Sequence, residues 1–404
     1  MAADLKSLGF GRYVPPALII AAFGPLLIPS MSVGPDQILL YMLFPIAIGV
    51  LFVGRKSILL HPSALTILFI FSFITTWILV VTIGGVSSNV HPTDRTQVDE
   101  LGSFESFLQI IVSVTVIGTF INTNHVAINK VLLDRVGKIL VVLMSGNAVI
   151  ALAAMFMDTL PITQYFISEA TGKGDSQYET FSTIGRMTGI FDFPATAGIA
   201  YSLALLIWTY RIRRIRKISL IEYMFGAMII IGGTITVSKT FLFGGLPLFL
   251  IYWLIPGRMS PRITFKLLII ILSGVVAVAL FIEYWIGLKG ILDIFTSDEK
   301  YASGELFLHF IQIRYGVNNQ MEIAGIFPYV WEMAPFQGLG FAYLGLTDSA
   351  YLKFFMQGGL VAALLYVGFI ALIIFLGAIE WYHGNEIGRL LTLIGIFVFI
   401  AGIG

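Results

Sequence analysis

Apolar runs separated by short polar breaks dominate the chain. Crossing the hydrocarbon of a bilayer takes roughly 20 apolar residues in a helix. Runs of that kind fall at 14–33, 36–54, 63–84, 106–123, 138–157, 193–210, 218–237, 241–256, 267–287, 350–378 and 390–404. The pattern predicts an all-α fold, a polytopic bundle of about eleven transmembrane helices within one integral membrane domain over 1–404. The last run reaches Gly404 without a polar flank, and a full chain with one further run would have twelve. The run 241–256 is short, and 350–378 is long enough to tilt strongly or to begin outside the bilayer. The stretch 124–137 predicts an amphipathic helix on the inner surface. No internal repeat or low-complexity linker divides the chain.

Composition agrees with the pattern. Of 404 residues 57% are hydrophobic and 12% charged, against about 25% charged in a soluble domain. Mean hydropathy is +0.92. The net charge of +1 gives no basic surface for nucleic acid. With no cysteine, disulfides, thiolate metal sites and cysteine nucleophiles are excluded. The N-terminal segment lacks the cleavage site of a signal peptide, so the first run is expected to be a retained helix.

Charge placement gives the sidedness. Basic residues concentrate in cytoplasmic loops. With the N-terminus inside, sixteen of the 24 basic residues fall inside, dominated by RIRRIRK at 211–217. That run reads as a topology anchor beside anionic lipid. Of the 23 acidic residues, eighteen fall on the outer side. The loops 158–192 and 288–349 are long and lie outside, and long loops on one face of a scaffold tend to carry function. Any site is therefore expected on the outer face of the membrane.

Three outer cations stand in unusual contexts. Arg186 lies in GRMTGIFDFPATAG (185–198), flanked by Gly185 and Gly189, which would let backbone approach a ligand. Within the same segment, Asp192 suits a helix cap and Pro194 a first helical turn. Lys239 lies in TITVSKTFLFGG (234–245). It either snorkels to the interface or, with the Ser238 and Thr240 hydroxyls, forms an anion-binding corner. Arg314 lies in LFLHFIQIRYGVNNQMEIAGIF (306–327), where it either pairs with Glu305 or Glu322 or meets an anion. His309, in the same stretch, is a structural hydrogen-bonder or a site residue. In 338–369, Gly338 and Gly340 suggest a tight turn, and Asp348 is either the cap of the following helix or a site carboxylate. Arg suits phosphate oxygens through its planar fork. The three cations are therefore expected to converge near the outer boundary as a site for a pyrophosphate.

At these residues the chain resembles the O-antigen polymerase and ligase superfamily. Arg186-Met-Thr-Gly-Ile-Phe-Asp-Phe-Pro194 resembles the family's Arg, Gly, aromatic and Pro pattern before a helix. Ser238-Lys239-Thr240 resembles its Ser-Arg-Thr, with Lys in place of Arg. Arg314 followed by Pro335, Gly338, Gly340 and Asp348-Ser349-Ala350-Tyr351-Leu352 resembles its large outer loop and the exit into the next helix. The match covers roughly residues 180–375. It implies a helical membrane glycosyltransferase using undecaprenyl-pyrophosphate-linked glycan as donor and acceptor, with no cofactor and no metal. The implied location is a bacterial inner membrane, with the site facing the periplasm or exterior. A chain-length regulator and a flippase are implied partners besides membrane lipid. The implied catalytic set is Asp348, Arg314 and Arg186; Lys239, Ser238, Thr240, His309 and Tyr351 are implied to bind substrate. Ligases carry His where this chain has Asp348-Ser349, a departure that favours a polymerase. A flippase is the competing class.

Overall fold

The structure is a computed structural model that describes residues 13–27, 34–53, 62–84, 100–122, 126–166, 185–215, 218–254, 330–332, 334–341 and 349–402. The secondary structure among these residues is all helical, joined by turns and irregular segments, with no strand. The helices are α1 (Val14–Ala22), α2 (Pro35–Val53), α3 (Pro62–Ile83), α4 (Glu100–Asn122), α5 (Val126–Ala153) and the single turn α6 (Leu160–Thr163). There follow α7 (Pro194–Arg214), α8 (Leu220–Ile235), a π-helix (Thr240–Gly245), α9 (Leu246–Leu254), α10 (Ala350–Tyr382) and α11 (Glu386–Ala401). The run 267–287 lies outside the described residues.

Among the described residues, three helices are long and apolar enough to cross a membrane, over Leu65–Ile83, Val131–Ala153 and Ala350–Tyr382. Their outward faces are apolar: Phe69, Phe73, Leu364 and Phe375 are all exposed. Shorter apolar helices run over Pro35–Val50, Phe107–Thr119, Leu220–Ile235 and Thr240–Leu254.

Two expectations from hydropathy change. The first run does not form one helix. The nine residues of α1 span only about 14 Å, against about 30 Å of hydrocarbon. The helix stops at Phe23, before Gly24 and Pro25, and Pro25 cannot continue it. Conversely, the amphipathic stretch and the fifth run form one continuous α5. Gly137 interrupts nothing there; its missing side chain admits Ile207 and Arg211 of α7.

The centre of the molecule is α7. Its Ala197, Tyr201, Ala204, Leu205 and Trp208 are buried against α5, α8, the π-helix and α9. Small residues make that contact close. A Cβ on Gly198 would fall 2.0 Å from Ser238 Oγ, and one on Gly245 would fall 2.1 Å from Ser202 Oγ. This is the packing expected where helices associate in lipid by close backbone approach. A second cluster joins α3, α4 and α10 through Phe71, Ile74, Ile78, Phe107 and Phe354.

The long run beginning at 350 is broken. Gly359 has φ 62° and ψ −161°, which divides α10 into two helical halves. Segment 334–341 lines the break. Leu339 N donates to Met356 O (2.7 Å), Gly340 N to Gln357 O (2.9 Å) and Leu360 N to Pro335 O (2.8 Å). Trp77 Nε1 on α3 donates to Gly358 O (3.0 Å). Backbone groups freed by the break are thus satisfied by protein, as non-helical backbone at membrane depth requires. The half from 360 to 382 alone spans about 34 Å, enough to cross.

Candidate functional site

The segment preceding α7 folds back over the junction between α8 and the π-helix. Met187 N donates to Ile235 O (3.3 Å), and Arg186 Nη2 donates to Val237 O (3.2 Å). Arg186 is half-buried. It therefore docks two residues from Lys239, so two of the three expected cations share one junction. Arg314, His309, Glu305 and Asp348 lie outside the described residues.

The junction is conformationally unusual. Val237 has φ 47° and is the one non-glycine with positive φ among the described residues. For a β-branched side chain this is a true outlier, worth about 1–3 kcal/mol of strain. The π-helix starts at Thr240, with Lys239 at its N-cap position. π-helices are rare, appear mostly as single turns beside or within α-helices, and are frequent at functional sites. Strain, a π-turn and two cations therefore coincide.

The segment 185–193 is held in place by Asn147, a buried residue of α5. Ile190 N donates to Asn147 Oδ1 (2.8 Å). Asn147 Nδ2 donates to Thr188 O (3.2 Å) and lies 2.8 Å from the Tyr201 hydroxyl. Gly189 has φ 70°, and a Cβ there would fall 2.1 Å from Asn147 Oδ1. The glycine thus makes room for the Asn147 carboxamide, which corrects the expectation that it admits a ligand. Nothing local in the sequence marks Asn147, a lone amide within an apolar run.

Other expected site residues are placed differently from the sequence reading. Ser238 is 1% exposed, and its hydroxyl is turned to Gly198 of α7 instead of lining an open corner. Thr240 is half-buried in the first position of the π-helix. Tyr351 is engaged within the protein. Its hydroxyl donates to Phe399 O (2.7 Å), and its ring packs on Phe399 and Tyr366. Gly244 of the π-helix faces Phe397 and Ile400, so the last turns of α11 stand between Tyr351 and the π-helix. The geometry gives Tyr351 a packing role.

Both cap assignments also change. At the start of α7 the N-cap position is Phe193, with Asp192 one residue outside it, while Pro194 occupies the first turn as expected. Ser349 caps α10, accepting from Leu352 N (3.4 Å), and donates to Gly402 O (3.1 Å). The cap role considered for Asp348 therefore belongs to its neighbour.

The basic run 211–217 is not simply a surface anchor. Arg211 is 4% exposed and paired with Asp134 (3.2 Å) and Glu222 (3.3 Å), tying α5, α7 and α8 together. Among the described residues, no group of acidic or histidine side chains is arranged to hold a metal. Compared with family models, curated proteins and solved structures, the chain matches none.

Proposed function

We propose that the chain is a polytopic inner-membrane glycosyltransferase of about eleven spans. In this reading it polymerises undecaprenyl-pyrophosphate-linked repeat units into O-antigen, capsule or exopolysaccharide on the outer face. The observation that carries the reading is the docking of Arg186 onto the strained Val237–Lys239 junction. That contact joins two sequence segments singled out independently for their cations, and both resemble motifs of the O-antigen polymerase and ligase superfamily.

The chemistry follows from charge. The acceptor hydroxyl attacks C1 of the donor sugar, the C1–O bond to pyrophosphate breaks, and the lipid pyrophosphate leaves. Negative charge grows on the phosphates as that bond breaks. Cations fixed in advance stabilise this state more than the ground state. Arg186, Lys239 and Arg314 fill that role in this reading. A carboxylate takes the acceptor proton: Asp348 first, with Glu305 or Asp192 as the alternative and His309 as a fallback. An apolar cleft of about 440 Å³, lined by Pro15, Leu18, Ile19, Leu40 and Ile117 among others, suits the donor's lipid chain. It passes Ala22, next to Phe23, which packs on Phe191 of the site segment (5.9 Å).

The capping of α10 by Ser349 sharpens the test of Asp348. With no cap to lose, Asp348→Asn is expected to abolish most polymer formation at unchanged expression. The assay uses purified protein with lipid-linked repeat unit, with chelator present. Full activity of the Asn variant removes Asp348 from the catalytic set, and a chelator-sensitive wild type removes the metal-independent scheme.

The broken helix at Gly359 favours a second reading, because transporters build sites from discontinuous helices. The glycan profile of a deletion strain separates the classes. Single repeat units still attached indicate a polymerase, lipid-linked polymer without attachment a ligase, and units trapped on the inner leaflet a flippase.

The sidedness is checked by cysteine labelling, which needs no background removal in a Cys-free chain. A cysteine at position 300 is expected to label from outside in intact inner membranes, and one at 217 only after permeabilisation. The reverse pattern overturns the orientation.

A further inference from the structure

The chain leaving α5 is built the wrong way round for water. Phe156 N and Met157 N donate to Ala153 O (3.0 and 2.9 Å), and the single turn α6 follows. Phe156, Met157, Ile162 and Tyr165 are each more than half exposed. Thr159 and Thr163, the short polar residues between them, are buried, and Thr163 Oγ1 donates to Thr159 O (3.2 Å). A segment surrounded by water turns its large apolar side chains inward, because apolar area left in water opposes folding. Asp158 and Gln164 are exposed too, so the outward surface of this segment is amphipathic.

Two further observations say what covers the apolar part. Val142 and Val149 of α5 are exposed at the two positions seven and fourteen residues before Phe156. Seven residues are about two helical turns, so Phe156 extends one apolar stripe of a helix long enough to cross the membrane. The non-helical segment 23–27, which follows the short α1, lies against the same turn. Leu26 N donates to Tyr165 O (2.8 Å), and Leu27 is also more than half exposed. The apolar surface is thus continuous with a membrane-facing one and is shared by two segments of the chain.

We propose that segments 23–27 and 154–166 form an interfacial platform that binds the lipid surface of the leaflet in which α5 ends. Leu27, Phe156, Met157 and Ile162 insert among the lipid chains. Asp158 and Gln164 stay at the headgroups, and Tyr165 lies at the boundary, where an aromatic ring with a polar tip is at home. The long loop that starts at 158 therefore begins in lipid and not in the water outside. This contact needs no assumption about leaflet or substrate. One consequence rests on the proposed function: Phe23 of the platform packs on Phe191 of the site segment (5.9 Å), and its neighbour Ala22 lines the apolar cleft, so a lipid-linked donor moving in the leaflet meets the platform beside the site.

The test is electron paramagnetic resonance of nitroxide-labelled cysteine variants in liposomes of phosphatidylethanolamine and phosphatidylglycerol; the chain has no cysteine of its own to remove. Power saturation compares collision with oxygen, which concentrates in lipid, and with a water-soluble nickel chelate. In Phe156→Cys, Ile162→Cys and Leu27→Cys, oxygen is expected to be the stronger relaxant several-fold, at a depth of about 5–10 Å. Gln164→Cys is expected to show the reverse order, and Val149→Cys a greater depth than the other three. Each replaced side chain is exposed, and Leu27 reads the platform from a second segment. Nickel access at 156 and 162 equal to that at 164 overturns the proposal, because the turn then stands in water. Poor access of both reagents at 156 and 162 also overturns it, because protein then covers the face. The measurement uses no glycan, so failure of the platform and failure of glycosyl transfer are separate results.

Discussion

Replacing Arg186 with Ala is expected to lower polymer formation by about 10²–10³-fold, the effect of removing a fixed donor from a developing anion, about 2.7–4 kcal/mol. The fold supplies a competing explanation, because Arg186 also docks segment 185–193 onto Val237 O. Two further variants separate the roles. Arg186→Gln keeps a donor for that carbonyl but removes the charge, and is expected to be nearly as inactive as Ala. Arg186→Lys keeps the charge without the fork and is expected to recover activity only in part. All three should unfold within a few degrees of wild type, since one half-buried hydrogen bond to a charged donor contributes about 1.5–3 kcal/mol at most. Full turnover by the Gln variant, assayed with purified lipid-linked repeat, would remove the electrostatic role and leave Arg186 as a structural clasp.

Hydropathy made the helices legible because lipid and protein interior both demand long apolar runs, and that demand leaves a coarse trace. It could not say where a run stays continuous. The helix begun at 14 stops at Phe23, where Gly24-Pro25 is a local stop that hydropathy does not count, while α5 continues through Gly137, where Ile207 and Arg211 from a distant helix occupy the space beside the glycine. The pair Gly358-Gly359 was visible within its run, but the same letters also permit an unbroken helix packed tightly. Only Trp77, more than 250 positions away, and segment 334–341 make a break there affordable.

The candidate site shows the same division. Glycines and lone cations mark segments 185–193 and 236–240 in the sequence, and the structure brings those segments together. The agents that hold them are silent in sequence. Asn147 is an amide inside an apolar run, and Val237 takes its left-handed conformation because the chain must turn between α8 and a π-helix packed on Gly198. Short-range logic also misassigned neighbours: Ser349 caps where Asp348 was considered, and Arg211 is buried in a triad within a run that reads as surface charge.

Gly359→Ala is expected to destabilise the protein more than any other single methyl addition to α10. The backbone at 359 lies in a region open essentially to glycine, so strain alone costs about 1–3 kcal/mol. The added Cβ would fall 2.3 Å from the carbonyl carbon of Phe336. Backbone cannot yield as a flexible side chain can, and overpacking adds about another 1–3 kcal/mol. Against a total stability of about 5–15 kcal/mol, that is a large fraction. Gly338→Ala should behave alike, because its Cβ would fall 2.5 Å from Gly359 N in the same clasp and its φ is 70°. The control is Gly368→Ala in the second half of the same helix. No atom lies within 4 Å of a Cβ there, and alanine's better helix propensity makes the change neutral or stabilising by up to about 1 kcal/mol. Thermal unfolding in detergent ranks the three. Equal midpoints for Gly359→Ala and Gly368→Ala would mean that α10 is an unbroken helix, and segment 334–341 would then have no backbone to pair with.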